Sequence, residues 1–227
     1  MILVLLHAFP LDSRMWDGVR EPFAKRLRLV TPDLGDGPPS LDDAADAVLA
    51  GLGDEPFVLG GCSMGGYLAM AILRKAPSQV AGLLLVDTKS AADTPEARAN
   101  RLAVAAQAEA EGVTGWLADA MLPNLVSPRA RPEVLTTLRS LIDSQSGSVV
   151  ARAQRAMAAR PDSTALLASV TMPTLVVRGA DDALMPPDAI QVPGARMVEL
   201  AGCGHLPPVE DPDAFAAVVL NWLNGPS

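Results

Sequence analysis

Cations, cysteines and histidines are scarce in this 227-residue chain, and each scarcity removes a class of function. Eighteen Lys and Arg stand against 26 Asp and Glu, for a formal net charge of -8 and an isoelectric point near 4.7. With no basic cluster to meet phosphates, nucleic acid and anionic membrane are excluded as partners, and small molecules are favoured. Cys62 and Cys203 are the two cysteines. They show neither metal-ligand spacing nor a disulfide framework, so no metal is expected, and a reducing cytoplasm is the simplest compartment. A long apolar run is also missing. The opening MILVLLHAFP carries no basic n-region and no small-residue cleavage site, and its apolar stretch stops at His7. That is too short for a signal peptide or a membrane span and reads as a first core strand. No internal repeat is found.

What remains is apolar and regular. Hydrophobic residues make up 49% of the chain and charged residues 19%, with mean hydropathy +0.25, which suits one domain built on a sheet buried on both faces. MILVLL, RLVTPD, PFVLGG, VAGLLLVDT, MPTLVVRG and ARMVEL read as strands. Between them lie helical patterns at Ser13–Arg26, at Leu41–Leu52 behind a Ser40 cap, and from Ser63 to about Pro77, with a last helix at Pro212–Leu223. Alternation of this kind predicts an α/β fold, a doubly wound, mostly parallel sheet of about six strands, with function at the carboxyl ends of the strands. Residues 90–168 break the alternation with four helical patterns in a row, PEARANRLAVAAQAEAEG, VTGWLADAML, PEVLTTLRSLIDSQ and GSVVARAQRAMAAR. They either cover one sheet face or form an inserted cap. Their place between two strands favours the cap, over a core of residues 1–89 and 169–227.

Chemistry concentrates in VLGGCSMGGYLAMAIL, where a short apolar strand meets a helix at Ser63 among four glycines. A phosphate-cradling loop would need Lys and then Ser or Thr after its last glycine, but Tyr67 and Leu68 follow Gly66. A dinucleotide fingerprint fits only by counting Ser63 as a glycine. The nucleophile elbow GxSxG fits as written, from Gly61 to Gly65, and its spacing is steric: the residues two before and two after the serine face neighbouring backbone. A serine hydroxyl needs a base and an orienting acid. His205 sits in LAGCGHLPPVEDP, after the last strand and before the last helix, while His7 ends the first strand. Three aspartates compete as the acid: Asp181 and Asp182 in VVRGADDALMPP, and Asp87 after GLLLV. The blandest reading of the first two is a solvated turn.

HAFP, GCSMGG, LVVRGADDALMPP and GCGHLPPVEDP, in this order, resemble the α/β-hydrolase superfamily, especially small bacterial members similar to 3-oxoadipate enol-lactonase and related carboxylesterases. The resemblance spans nearly the whole chain, although the customary opening β-hairpin is missing. It implies a cofactor-free serine hydrolase cleaving a small ester or lactone through an acyl-enzyme, with Ser63 as nucleophile, His205 as base and Asp182 as acid. Asp182 is chosen because in the family the acid typically lies three residues after the strand-ending glycine and four before a proline. Met64 N–H, just after the nucleophile, is one oxyanion donor, and the resemblance makes Phe9 N–H the other. Ala8 replaces a more usual glycine there, at a cost if the position requires φ > 0. His7 is read as structural, and Cys62 and Cys203 as small apolar fillers. Trp116, Met121 and Met157 are candidates for an acyl pocket, packing within the cap being the commoner fate of such residues. Relatives with epoxide or carbon–halogen chemistry use an aspartate at the elbow, so Ser63 excludes both. Carbon–carbon bond hydrolysis, acyl transfer and a slow-turnover small-molecule receptor remain alternatives, and a monomer or a homodimer is expected.

Overall fold

A computed structural model describes residues 1–34 and 40–225. Its sheet has six strands: β1 (Ile2–Leu6), β2 (Arg28–Val30), β3 (Phe57–Cys62), β4 (Val80–Val86), β5 (Thr174–Gly179) and β6 (Arg196–Leu200). Their spatial order is β2-β1-β3-β4-β5-β6 and every pairing is parallel. The expected six-stranded doubly wound sheet is found, and no strand opens an N-terminal hairpin among the described residues. β1 and β3 are buried along their whole length and β4 at all but one position, as helices on both faces demand, whereas the edge strands β2 and β6 are largely accessible. β2 is shorter than RLVTPD promised. It pairs with β1 alone, and Pro32 has no N–H with which to extend the ladder.

Helices α1 (Asp17–Ala24), α2 (Leu41–Leu52) and α3 (Met64–Lys75) follow the first three strands. The helix expected over 13–26 divides into a 3-10 turn, Ser13–Trp16, and α1. Ser40 caps α2 by accepting from Asp43 N at 3.1 Å, and α3 stops before Pro77, which cannot supply a helical N–H. Between β4 and β5 lie α4 (Pro95–Glu111), α5 (Trp116–Leu125), α6 (Pro132–Asp143), α7 (Gly147–Ala158) and the short α8 (Thr164–Ala168). α4 packs on α7, closely enough that a Cβ on Gly147 would lie 2.0 Å from Ala108 O. α9 (Pro207–Glu210) and α10 (Pro212–Leu223) close the chain, and Phe215 of α10 meets Trp16 with ring centroids 6.2 Å apart. Both rings are fully buried, worth on the order of 2–3 kcal/mol each in removed apolar surface. Among the described residues no helix is long and apolar enough to cross a membrane.

Candidate active site

The strand order reverses between β1 and β3, and a crevice opens at their carboxyl ends, where an open α/β sheet places its ligands. Ser63 occupies that point, directly after β3 and as the N-cap of α3. Its φ of 53° and ψ of -113° lie where a non-glycine residue costs on the order of 1–3 kcal/mol, and the surroundings hold it there. Ser63 N donates to Val86 O at 2.9 Å, while Ser63 O accepts from Gly66 N at 2.9 Å and from Thr88 Oγ1 at 2.8 Å. The flanking glycines answer to space. A Cβ would fall 2.1 Å from Gly65 O at position 61, 2.0 Å from Leu6 O at position 65 and 2.4 Å from Thr88 Oγ1 at position 66. None of the three has positive φ; the left-handed residue of the elbow is the serine.

His205 and Asp182 approach from the far side of the sheet's carboxyl edge. His205 Nδ1 lies 3.0 Å from Asp182 Oδ2, with the two side chains 1% and 0% exposed. Asp182 Oδ1 accepts from Leu184 N at 2.8 Å and Met185 N at 3.2 Å. Burial alone would raise the Asp182 carboxyl, but His205, Asp87 and the Leu184 N–H together outweigh it and the group sits below its usual range. Asp181 is no free turn residue, for its Oδ2 accepts from Ser127 Oγ at 2.7 Å. Asp87 lies deeper, at φ 40°, with its carboxyl on Gly179 N at 3.0 Å. Burial and then the adjoining Asp182 push the Asp87 carboxyl well above the usual carboxylate range. Asp87, Asp182 and His205 offer ligand atoms within 4.8 Å of one another, the one such group among the described residues. Those atoms are already engaged, Asp182 with His205 and Asp87 with Gly179 N.

Glu210, to which the sequence analysis gives no role, fixes the histidine loop. Its Oε1 accepts from Gly204 N at 2.8 Å and Leu206 N at 3.3 Å, and its Oε2 from Ser127 N at 2.7 Å. One carboxylate thereby joins the segment after α5 to the residues flanking His205. The only signal in the sequence is its place in HLPPVEDP.

On the other side of Ser63, Met64 opens α3, where an N–H has no intrahelical acceptor. Phe9 follows β1 and lines the cavity that Ser63 and His205 share, and it also borders, with Met64, a smaller space of about 60 Å³. Ala8 is not left-handed, so alanine there carries no conformational cost. His7 accepts from Leu34 N through Nε2 at 3.2 Å, which puts its proton on Nδ1, 3.1 Å from Ala8 O. Burial lowers its basicity and keeps it neutral, tying the loop after β1 to the chain after β2. Cys62 and Cys203 are buried thiols, the second pushed up to about 12 by burial.

The shared cavity measures about 470 Å³. Trp116, Met121 and Met157 all reach its wall, together with Val104, Leu117 and Leu125. Trp116 Nε1 donates to Gly112 O at 2.9 Å, which sets its indole edge. The arrangement suits acyl transfer: a serine hydroxyl at a helix amino end, a buried imidazole paired with a carboxylate, and a chamber with an apolar wall.

Known proteins share this architecture. A family model described as the alpha/beta hydrolase family matches residues 3–218. The chain is 30% identical to the pimeloyl-acyl-carrier-protein methyl ester esterase of Aromatoleum aromaticum, across 98% of each chain. A thermophilic esterase from Thermogutta terrifontis, solved with malate bound, superposes with TM-score 0.94 at 38% identity, covering 99% of this chain and 89% of that one. The enol-lactonase of Burkholderia xenovorans superposes with TM-score 0.86 at 25% identity, covering 98% and 91%.

Proposed function

The chain belongs to the alpha/beta hydrolase family, and on that premise we propose that it hydrolyses small carboxylic esters or lactones through an acyl-enzyme formed on Ser63. The observation that supports this most is the convergence on one cavity of a left-handed Ser63 and of His205, whose Nδ1 meets Asp182 at 3.0 Å. The relatives named as esterases and as an enol-lactonase favour the same chemistry.

In this reading Ser63 Oγ attacks the substrate carbonyl carbon while His205 Nε2 takes its proton. The imidazolium that forms is stabilised by Asp182 across the 3.0 Å contact. Negative charge gathers on the former carbonyl oxygen, where Met64 N–H and Phe9 N–H donate to it; losing one such donor costs on the order of 10²- to 10³-fold in kcat. The tetrahedral adduct then collapses, and the alcohol departs with the proton from His205. Water, deprotonated by His205, attacks the acyl-enzyme; a second adduct releases the acid and returns the proton to Ser63. A lactone follows the same course, its alcohol remaining tethered in the hydroxy-acid product. Residues 90–168 act as a lid on the core of residues 1–89 and 169–227, supplying the apolar wall of the chamber.

The test is a screen over acyl length and lactone ring size with the wild type and Ser63→Ala. Turnover should fall on the order of 10⁴-fold or more in the variant with the fold intact. Unchanged turnover in a folded Ser63→Ala protein would remove the serine mechanism.

A further inference from the structure

One end of the same cavity carries a charge imbalance that ester cleavage does not use. Besides His205, the charged residues on its wall are Lys89, Asp93 and Arg101. Asp93, with its side chain 1% exposed, accepts from Arg101 Nε at 2.6 Å and from Arg160 Nη2 at 2.7 Å, and Lys89 Nζ lies 3.2 Å from it. Three cations thus meet one carboxylate, in a chain whose net charge is -8. Burial opposes ionisation of Asp93, yet Arg160 and Arg101 hold it far below the usual carboxylate range, so it is charged and already committed.

Arg160 is accounted for. Its guanidinium lies 4.1 Å over the Tyr67 ring and donates to Met157 O and Ala91 O, behind the cavity wall. Lys89 and Arg101 differ, because both line the cavity and their side chains are 27% and 20% exposed. Asp93, shared with Arg160 as well, can compensate at most one of their two charges, and Arg101 Nη1 otherwise meets only the neutral Gln154 Oε1 at 3.1 Å and Met157 Sδ at 3.3 Å. Leaving the other in a half-buried chamber is costly unless water or an anion meets it, and an ammonium with three donors has capacity for a second acceptor. Asn100 and Gln154 add amides to this end, whereas Val104, Leu117 and Met121 make the adjoining wall apolar. A polar pole joined to an apolar wall fits a short carbon chain ending in a charged oxygen group.

We propose that Lys89 and Arg101 form an anion subsite for a carboxylate remote from the scissile bond, so that the preferred substrates are short esters or lactones carrying a free carboxylate, such as dicarboxylic monoesters. This rests on the hydrolase reading and specifies its substrate class. The carboxylate supplies missing negative charge through charge-assisted hydrogen bonds and anchors the substrate in the cavity that Ser63 lines.

The test compares monomethyl glutarate with dimethyl glutarate, alike in length but differing by one charge, on the wild type, Lys89→Met and Lys89→Arg. The wild type should favour the monoester in kcat/KM by about 10-fold or more, a preference that shrinks as salt rises towards about 0.5 M. Lys89→Met should reduce the monoester-to-diester ratio about 10-fold, and Lys89→Arg should largely restore it. Equal use of both esters by the wild type, or an unchanged ratio in Lys89→Met, overturns the subsite. Calorimetric binding of glutarate to folded Ser63→Ala gives a readout independent of turnover, expected to weaken about 10-fold when Lys89→Met is added. If Ser63→Ala retains full activity on 4-nitrophenyl acetate, the hydrolase reading fails by itself, and glutarate binding still decides the subsite.

Discussion

The sheet side and the helical side of the cavity are held in place by different kinds of contact. On the sheet side, backbone meets backbone: a Cβ at Gly61, Gly65, Gly179 or Gly204 would come within 2.4 Å of a main-chain atom. On the helical side the one comparable main-chain approach among those described is Gly147 to Ala108 O, and elsewhere side chains set position, such as Arg155 with Glu109, Arg139 with Asp119 and Trp116 Nε1 with Gly112 O. Exposed ion pairs of that kind are worth about 1 kcal/mol or less, whereas a main-chain clash has no small remedy. Ser63, His205 and Asp182 therefore sit on a frame that tolerates no gradual change. Most of the wall facing them can be altered residue by residue.

The largest effect expected from that contrast lies among the aspartates. Asp182→Asn should lower kcat about 10³- to 10⁴-fold by removing the partner that orients His205, with little change in KM. Asp181→Asn, and Asp87→Asn, which puts a neutral group of similar shape beside Asp182, should each stay within about 10-fold. A severe Asp87→Asn with a mild Asp182→Asn would move the acid to the end of β4. Next comes stability. Gly65→Ala puts a methyl group 2.0 Å from Leu6 O and should lower Tm by about 10 °C or prevent folding. Arg155→Ala, on the exposed Glu109 pair, should move Tm by only about 2 °C. Calorimetric scans of the two variants compare the sides directly, and equal shifts would erase the distinction. The smallest effect is one of selectivity. Trp116→Ala and Met157→Ala should move the preferred acyl length across a series of about two to ten carbons while sparing a small activated acetate ester. Parallel kcat/KM profiles in folded variants would show that these side chains only pack the helices together.

Much of the frame is legible in the residues because its causes are local. β1, β3 and β4 are uninterrupted apolar runs, which a strand buried on both faces requires, and β5 carries a shorter one at 175–177 before Arg178. The elbow announces itself through glycines, although the sequence leaves undecided whether they serve conformation or space; the geometry assigns space to them and the left-handed backbone to Ser63. His205 stands out as one of two histidines. Asp182 does not stand out, since local pattern leaves three aspartates equal and only resemblance separates them. Contacts made across the fold leave no local trace. Asp93 lies in SAADTPEA, which reads as the approach to a helix, and Glu210 in HLPPVEDP reads as a turn, yet each also reaches one partner far along the chain, Arg160 and Ser127. α8 and α9 are five and four residues long, too short to show a helical period.

The pairing of β4 with β5 also sets an order in time. Leu83 lies against Thr174, and everything between them must be synthesised before that contact can close. β1 to β4 and the Ser63 turn belong to the first part of the chain to leave the ribosome, and they can pair among themselves. Asp182 and His205, the proposed acid and base, arrive only with the final strands. Long-range parallel pairing is slow, so acquisition of Asp182 and His205 is expected to trail collapse of the first half. A nascent chain halted before β5 would carry Ser63 without the histidine and carboxylate proposed to activate it. On the proposed mechanism the molecule becomes reactive only once its last strands have docked, and until then it is chemically silent.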